Sequence, residues 1–423
     1  MSKPVTGRTP CQPEKISVQI GLPLLSGLRA VKTAFFELCV HAGQQVLHAM
    51  MEQDRTEVCG PRWARMSDRR GLRGGSARSE VTLGGRRVAV KRLRVSSDEG
   101  EIPLPSFNWA AERDPLNDHT MAAILGGLST RAYAGTLDRL PPETEERATS
   151  RSAVSRRFVA LSQKRLTECL ARPLAELDLW VVMIDGITFH DHTVHVALGI
   201  DSAGRKHVLG LREGTTENAT VARALLAGLA DRGLATERPL LFVIDGSKAL
   251  RKAVRDVFGR EVQIQRCQVH KTRNVLEHLP EEMRPSVRRT MNQAYAMTNP
   301  DKAQRQLENL ARKLAESHPG AADSLQEGLA ETLTIQKLGI SGALWRTLRS
   351  TNPIENLNSS IVKITRNVRR WRSGAMIIRW VGTAVLHAEE AFRRIRGYRE
   401  MPILIQALMR SAKTTTDSAE EVA

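Results

Sequence analysis

Apolar and polar positions divide the chain into regions of different texture. Leu24, Leu28, Val31, Phe35, Leu38 and Val46 recur at helical spacing, which predicts an amphipathic helix over 24–51. SEVTL and RRVAVKRLRV flank the Gly84-Gly85 pair, the pattern of a β-hairpin within 65–95. Two helices are expected next, over 117–140 and 150–170, with room for a helix-turn-helix-like reader; any small helical bundle gives the same pattern. From Leu179 the texture changes. LWVVMIDG, HTVHVALGID and HVLGLREG read as three consecutive strands, and their short connections predict an antiparallel meander. A helix over 216–233, with Thr216 as N-cap and Gly233 as stop, precedes a fourth strand, RPLLFVIDG. The unbroken apolar run of that strand predicts burial on both faces. A helix, a fifth strand (EVQIQ) and a helix closed by Pro280 follow, then helices without strands over 281–340. Further helices begin at Pro353, where proline is tolerated in a first turn, and at Gly374.

The motif IDG ends two apolar strands, at Asp185 and at Asp245. Three strands, then helix, strand, helix and strand, match a ribonuclease H-like sheet, in which the first and fourth strands are neighbours. The two carboxylates then converge, and two ionised carboxylates that close repel each other. Such a site calls for divalent cations, and its hard oxygen donors favour Mg²⁺ or Mn²⁺ over Zn²⁺. Two ions around a phosphodiester need a third ligand. Glu355, in the first turn of a helix in TNPIENLN, suits that role, since the helix dipole favours its ionised form. Each piece also has an ordinary explanation: an Asp-Gly turn for each IDG, and a capping carboxylate for Glu355. Asp191 and Asp201 are competing carboxylates, both in turns.

The 63 Lys and Arg outweigh 46 Asp and Glu, and a formal charge of +17 points to a polyanionic partner. The apolar run 21–40 is interrupted by Arg29, Lys32 and Glu37, which excludes a spanning helix there, and no membrane association is expected. Five scattered cysteines argue against a disulfide framework and for a reducing, cytoplasmic location, nucleoid-associated if the polyanion is DNA.

The segments VVMIDG, GLREGTTENA, LLFVIDGSKAL, QRCQVHKTRN, STNPIENLNSSI and RRWRSGAMIIRW occur in one order over about 179–397. In this the chain resembles the bacterial Mutator-type insertion-sequence transposases, which are DDE recombinases. GLRGGSARSEVTL and GGLSTRAYAGTLDRL extend the resemblance toward the N-terminus. It implies an α/β fold: a ribonuclease H-like catalytic core interrupted by an all-α insertion, preceded by a mainly helical DNA-binding region. It implies the division 1–22 (disordered), 23–175 (DNA-binding), 176–280 (first part of the core), 281–340 (insertion), 341–400 (core helices) and 401–423 (tail). Asp185, Asp245 and Glu355 become the catalytic, metal-binding triad for two Mg²⁺ or Mn²⁺ ions.

Outside the triad, Arg369, Arg370 and Arg372 are the foremost phosphate-contacting residues, in a stretch framed by Trp345, Trp371 and Trp380 and shared with Arg346, Arg349 and Arg366. Arg156 and Arg157 belong to the N-terminal DNA-binding helices. Cys267 and His270 lack a second pair to complete a zinc site and are read as supports of the catalytic face, or as a buried cysteine and a capping histidine. The expected activity is hydrolysis of a phosphodiester at the element's terminal inverted repeats, then strand transfer to target DNA by a homodimer or larger assembly. The alternatives are a decayed transposase acting as a DNA-binding regulator, and a ribonuclease H-like nuclease without strand transfer.

Overall fold

A computed structural model describes residues 28–64, 69–83, 86–112, 115–136, 146–147, 150–214, 219–368 and 370–420. The chain is α/β and divides into two compact units, Met1–Leu161 and Ser162–Ala423.

The first unit holds α1 (Leu28–Cys59), β1 (Leu72–Leu83), β2 (Arg86–Ser97), β3 (Gly100–Ile102), α2 (Pro105–Glu112), α3 (Pro115–Leu125), α4 (Tyr133–Thr136) and β4 (Glu146–Arg147). β1 and β2 form the expected antiparallel hairpin, with Arg78 opposite Lys91 and Val81 opposite Val88. Val81, Leu93 and Val95 cluster with Leu47 and Met51 of α1, and Lys91 is exposed. The unit boundary falls inside α5 (Arg151–Ala171). α3 stops at Leu125, and Gly127 follows with φ +101°. α3 and α5 are thus not joined by the short turn that a helix-turn-helix pair needs. The expected turn at Gly84-Gly85, the N-cap at Thr216 and the segment 1–22 lie outside the described residues.

In the second unit, β5 (Leu179–Phe189), β6 (His192–Asp201) and β7 (Lys206–Gly214) form the antiparallel meander, followed by α6 (Ala219–Asp231), β8 (Leu241–Ile244), α7 (Lys248–Phe258) and β9 (Gln263–Arg266). The sheet order is β7-β6-β5-β8-β9, with β8 parallel to both β5 and β9. Both faces are covered, which explains the unbroken apolar runs. Val181, Met183, Leu241 and Val243 belong to one core, and Val182, Ile184, Phe242 and Ile244 to the other, with α6 and α7.

Helices fill the rest: α8 (Gln268–Glu277), α9 (Arg284–Ala296), α10 (Pro300–Ala315), α11 (Pro319–Gln326), α12 (Thr334–Lys337), α13 (Gly342–Leu348), α14 (Asn352–Thr365), α15 (Gly374–Glu389) and α16 (Met401–Glu420). α8 to α11 share their own core around Met291, Tyr295, Leu307 and Leu325. α14, α15 and α16 supply Ile354, Ile361, Ile377, Val381, Leu404 and Leu408 to the first face of the sheet. Two sequence boundaries differ here. Leu166 and Cys169 of α5 already join the sheet core. The span 401–423 opens as a core helix rather than a tail, because Met401, Leu404 and Leu408 form one buried stripe at helical spacing.

Gln265, wholly buried on β9, clamps the helical segment to the sheet. Its Nε2 donates to Thr332 O at 2.9 Å and its Oε1 accepts from Ile335 N at 3.0 Å. Gln265→Leu keeps the volume but strands the Ile335 amide, while Thr332 O keeps Gln268 Nε2 at 2.8 Å, so a loss of about 1–3 kcal/mol is expected in urea denaturation. A loss below about 0.5 kcal/mol would show that the clamp contributes nothing.

Candidate active site

β5 and β8 run in parallel with Ile184 opposite Ile244. The next residue in each case is an aspartate, so this register places Asp185, within β5, beside Asp245, just past the end of β8. Each binds its own following backbone through one oxygen. Asp185 Oδ1 accepts from Gly186 N at 3.0 Å; Asp245 Oδ1 accepts from Gly246 N at 2.6 Å and Ser247 N at 2.9 Å. These local bonds occupy only one oxygen per residue, and the expected glycine turn is not formed at Asp185, whose Gly186 continues β5 opposite His195. The other oxygen of Asp185 accepts from Asn358 Nδ2 at 2.7 Å. Asp245 Oδ2 forms no hydrogen bond among the described residues.

Burial, reinforced by the charge of Asp245, pushes the Asp185 carboxyl up to about 6. Glu355 adds to the same effect, while the Gly186 amide and the His270 charge oppose it. The third carboxylate thus acts electrostatically on Asp185. α14, which carries it, follows directly from Arg349, whose carbonyl accepts from Gln268 N at 2.9 Å. That bond ties the entry of α14 to the N-terminus of α8, beside the end of β8, since Cys267 N donates to Ile244 O at 2.8 Å.

Glu355 does not cap its helix with its side chain. Its Oε1 accepts from the Thr351 hydroxyl at 2.7 Å and lies 3.7 Å from His270 Nε2. Thr351 Oγ1 is also 3.4 Å from His270 Nδ1. Cys267 is the N-cap of α8, its sulfur accepting from His270 N at 3.5 Å. Hydrogen bonding to Cys267 raises His270 to about 9 against the opposing effect of burial, with Glu355 and Asp245 adding to the rise. Burial would raise the Cys267 thiol, but hydrogen bonds from His270 and Thr351 outweigh it and hold it below its ordinary value. An imidazolium therefore stands beside Glu355 as its counter-charge.

Among the described residues, the group of three donors that meets a metal's spacing is not the three carboxylates. It is Cys267, His270 and Glu355, with one donor atom of each within 4.8 Å of the others. Cys267 is fully buried, and the set lacks the fourth protein donor of a closed structural zinc site. Asp201 is accounted for locally: it accepts from Arg205 N at 2.7 Å and pairs with His207 at 3.0 Å. Asp191 is exposed in the β5–β6 turn.

The predicted basic residues fall in separate places. Arg370 and Arg372 are exposed between α14 and α15, and Arg369 lies outside the described residues. Arg156, exposed, and Arg157, half-buried, are on α5 in the first unit. Two supporting residues had no assigned partner in sequence. Asn358 was visible as one of several asparagines around Glu355, but it holds Asp185, a contact 173 positions away along the chain. Arg266 is 4 % exposed. It donates to the carbonyl of Gly246, next to Asp245, and to Glu327 O at 2.7 Å. It packs against Gly328, whose φ of +63° and closeness to the guanidinium leave no room for a side chain.

Residues 28–394 match a family described as Transposase, Mutator family. The chain is 27% identical over 369 residues to the transposase for insertion sequence element ISRM5 of Rhizobium meliloti, covering 85% of this chain and 88% of that one. It is 30% identical over 205 residues to the transposase for IS6120 of Mycolicibacterium smegmatis, covering 46% and 62% respectively. It is 24% identical over 390 residues to the transposase for IS1081 of Mycobacterium tuberculosis, covering 87% and 88%.

The raised Asp185 gives a signed pH effect. The folded state holds this proton more tightly than the unfolded chain, whose carboxyl titrates near 3.8. Stability with divalent cations chelated is therefore expected to fall as pH rises from about 4 to about 7, by on the order of 1–3 kcal/mol. Asp185→Asn should remove this contribution. Urea denaturation across that range checks it, and parallel pH profiles for the two proteins would count against the raised value.

Proposed function

The chain belongs to the Mutator family of transposases, and from that premise we propose that it is an insertion-sequence transposase that cleaves DNA at its element's ends and transfers the freed 3′ end to target DNA. The observation that carries this reading is the pairing of Asp185 and Asp245 by adjacent parallel strands, within electrostatic reach of Glu355. The order of the five-stranded sheet, antiparallel on one side and parallel on the other, supports a ribonuclease H-like core. The helices between β9 and α14, with their separate core, support an insertion into it.

The residues fit divalent cations. Burial and neighbouring negative charge hold Asp185 near 6, a strain that a cation relieves, and the carboxylate oxygens are hard donors suited to Mg²⁺ or Mn²⁺. Asp185, Asp245 and Glu355 would hold them. When bound, such ions polarise the phosphodiester and activate the attacking hydroxyl, the chemistry of two-metal phosphoryl transfer. The protein's own contribution is positioning. Asn358 fixes the outer oxygen of Asp185, and the Gly246 and Ser247 amides fix one oxygen of Asp245. Thr351 and the His270 imidazolium orient and partly neutralise Glu355. Arg370 and Arg372, exposed just beyond α14, are placed to meet phosphates, and the basic hairpin and α5 of the first unit are assigned to the terminal repeats. Joining two ends calls for at least two copies of the chain.

Asp245→Asn and Glu355→Gln are expected to lower Mg²⁺-dependent cleavage of a duplex bearing the element's end by ~100-fold or more. Binding to the same duplex in an anisotropy titration should stay within about threefold. Full cleavage by either variant would remove that residue from the site. End binding without cleavage by the unaltered protein would point instead to a DNA-binding regulator.

A further inference from the structure

A groove lies between α8 and α9, lined by none of the three carboxylates but sharing the helix that carries His270. Its inner part is a cleft of about 370 Å³ lined by Gln268, Val269, Arg273, Arg288 and Arg349, among others. A broader depression of about 690 Å³, which includes Arg289, continues it. Arg284, Arg288 and Asn292 line both parts, so the two form one path. Their spacing of four puts them on one stripe of α9, one residue per turn at about 6 Å intervals.

The charge of this path is one-sided. Five arginines (273, 284, 288, 289 and 349) face two glutamates, Glu277 and Glu281. Arg284 is partly engaged, by Leu279 O at 2.9 Å and by Glu281 at 4.0 Å. Arg349 lies over the Trp345 ring at 4.8 Å. Arg273, Arg288 and Arg289 are exposed and make no ion pair among the described residues. At the inner end stands Val269, a large apolar side chain left 38% exposed next to His270. Gln268 is only 2% exposed, yet its Oε1 has no hydrogen-bond partner among the described residues.

We propose that this groove is a binding surface for a DNA strand leading from the carboxylate site, with Arg273, Arg288 and Arg289 on its phosphates and Val269 against the sugar or base nearest the chemistry. The occupant follows from charge complementarity and from continuity. The inner end is joined to the entry of α14 by the Gln268–Arg349 backbone bond, and α8 itself carries His270 beside Glu355. A polymer of anions in an extended groove is met by the exposed guanidiniums of Arg273, Arg288 and Arg289, each contact releasing condensed counterions. The inference rests on the transposase reading and adds to it a specific path on the helices that follow β9, distinct from Arg370 and Arg372.

The test uses the full-length protein and a fluorescent duplex bearing the element's end, titrated between 50 and 200 mM salt. Arg288→Ala/Arg289→Ala should flatten the dependence of log affinity on log salt by about two, near 0.9 per lost phosphate contact. Arg288→Lys/Arg289→Lys should restore most of the slope, which separates charge from misfolding. A photo-cross-linker replacing Asn292 should attach to the DNA. An unchanged slope with no cross-link, in a protein that still binds and cleaves, would overturn the groove and leave the transposase standing. If the unaltered protein neither binds nor cleaves DNA, both readings fall.

Discussion

The arrangement depends on the parallel pairing of β5 with β8. Ile184 opposite Ile244 puts two carboxylates at the same level, where each accepts from the backbone that follows it. Burial and mutual repulsion then raise Asp185. That pairing is non-local and must be held by material on both sides. Alternating residues of each strand provide it by filling separate cores above and below the sheet. A one-residue slip would exchange the faces of every core side chain and separate the aspartates together, so the chemistry and the packing share one register.

Around this pair, the helices that follow the sheet act as a frame. Gln265 and Arg266, consecutive residues of β9, reach in different directions. The first holds Thr332 and Ile335; the second spans the carbonyls of Gly246 and Glu327. Buried polar side chains of this kind are costly unless every partner is present, and here the partners are backbone groups of irregular segments. The loop bearing Asp245 and the helices after β9 are thereby fixed to each other. The Cys267–His270–Glu355 group gains its position from the same frame, since Cys267 caps α8 and hydrogen-bonds back to β8.

The Cys267–His270 pair also shows how two plain readings can both be partly right. As a buried cap, Cys267 does what a structural cysteine at a helix N-terminus does. Its proximity to His270 and Glu355 nevertheless gives the imidazole a raised affinity for its proton and sets a positive charge beside a carboxylate that cations would otherwise have to balance alone.

The five strands, their order along the chain and the two aspartates that close the apolar runs were legible in the sequence, because a strand buried on both faces leaves an unbroken apolar run and an aspartate interrupts it abruptly; Asp185 is nevertheless not at a strand end, since pairing with β6 carries β5 on to Phe189. Glu355 was legible as a polar residue where an apolar stripe should start. What it contacts was not, because Thr351 and His270 meet it only once α8 and α14 are brought together by the Gln268–Arg349 bond. Asn358 reads as one polar helix residue among several, and only the packing of α14 on β5 aims it at Asp185. The burial of Met401, Leu404 and Leu408, read as the start of a tail, needed a sheet face to receive it. Local periodicity thus determined the elements and named the acidic residues. Which of them meet, and what charge each feels, was decided by tertiary structure, because burial and proximity are properties of space and not of order along the chain.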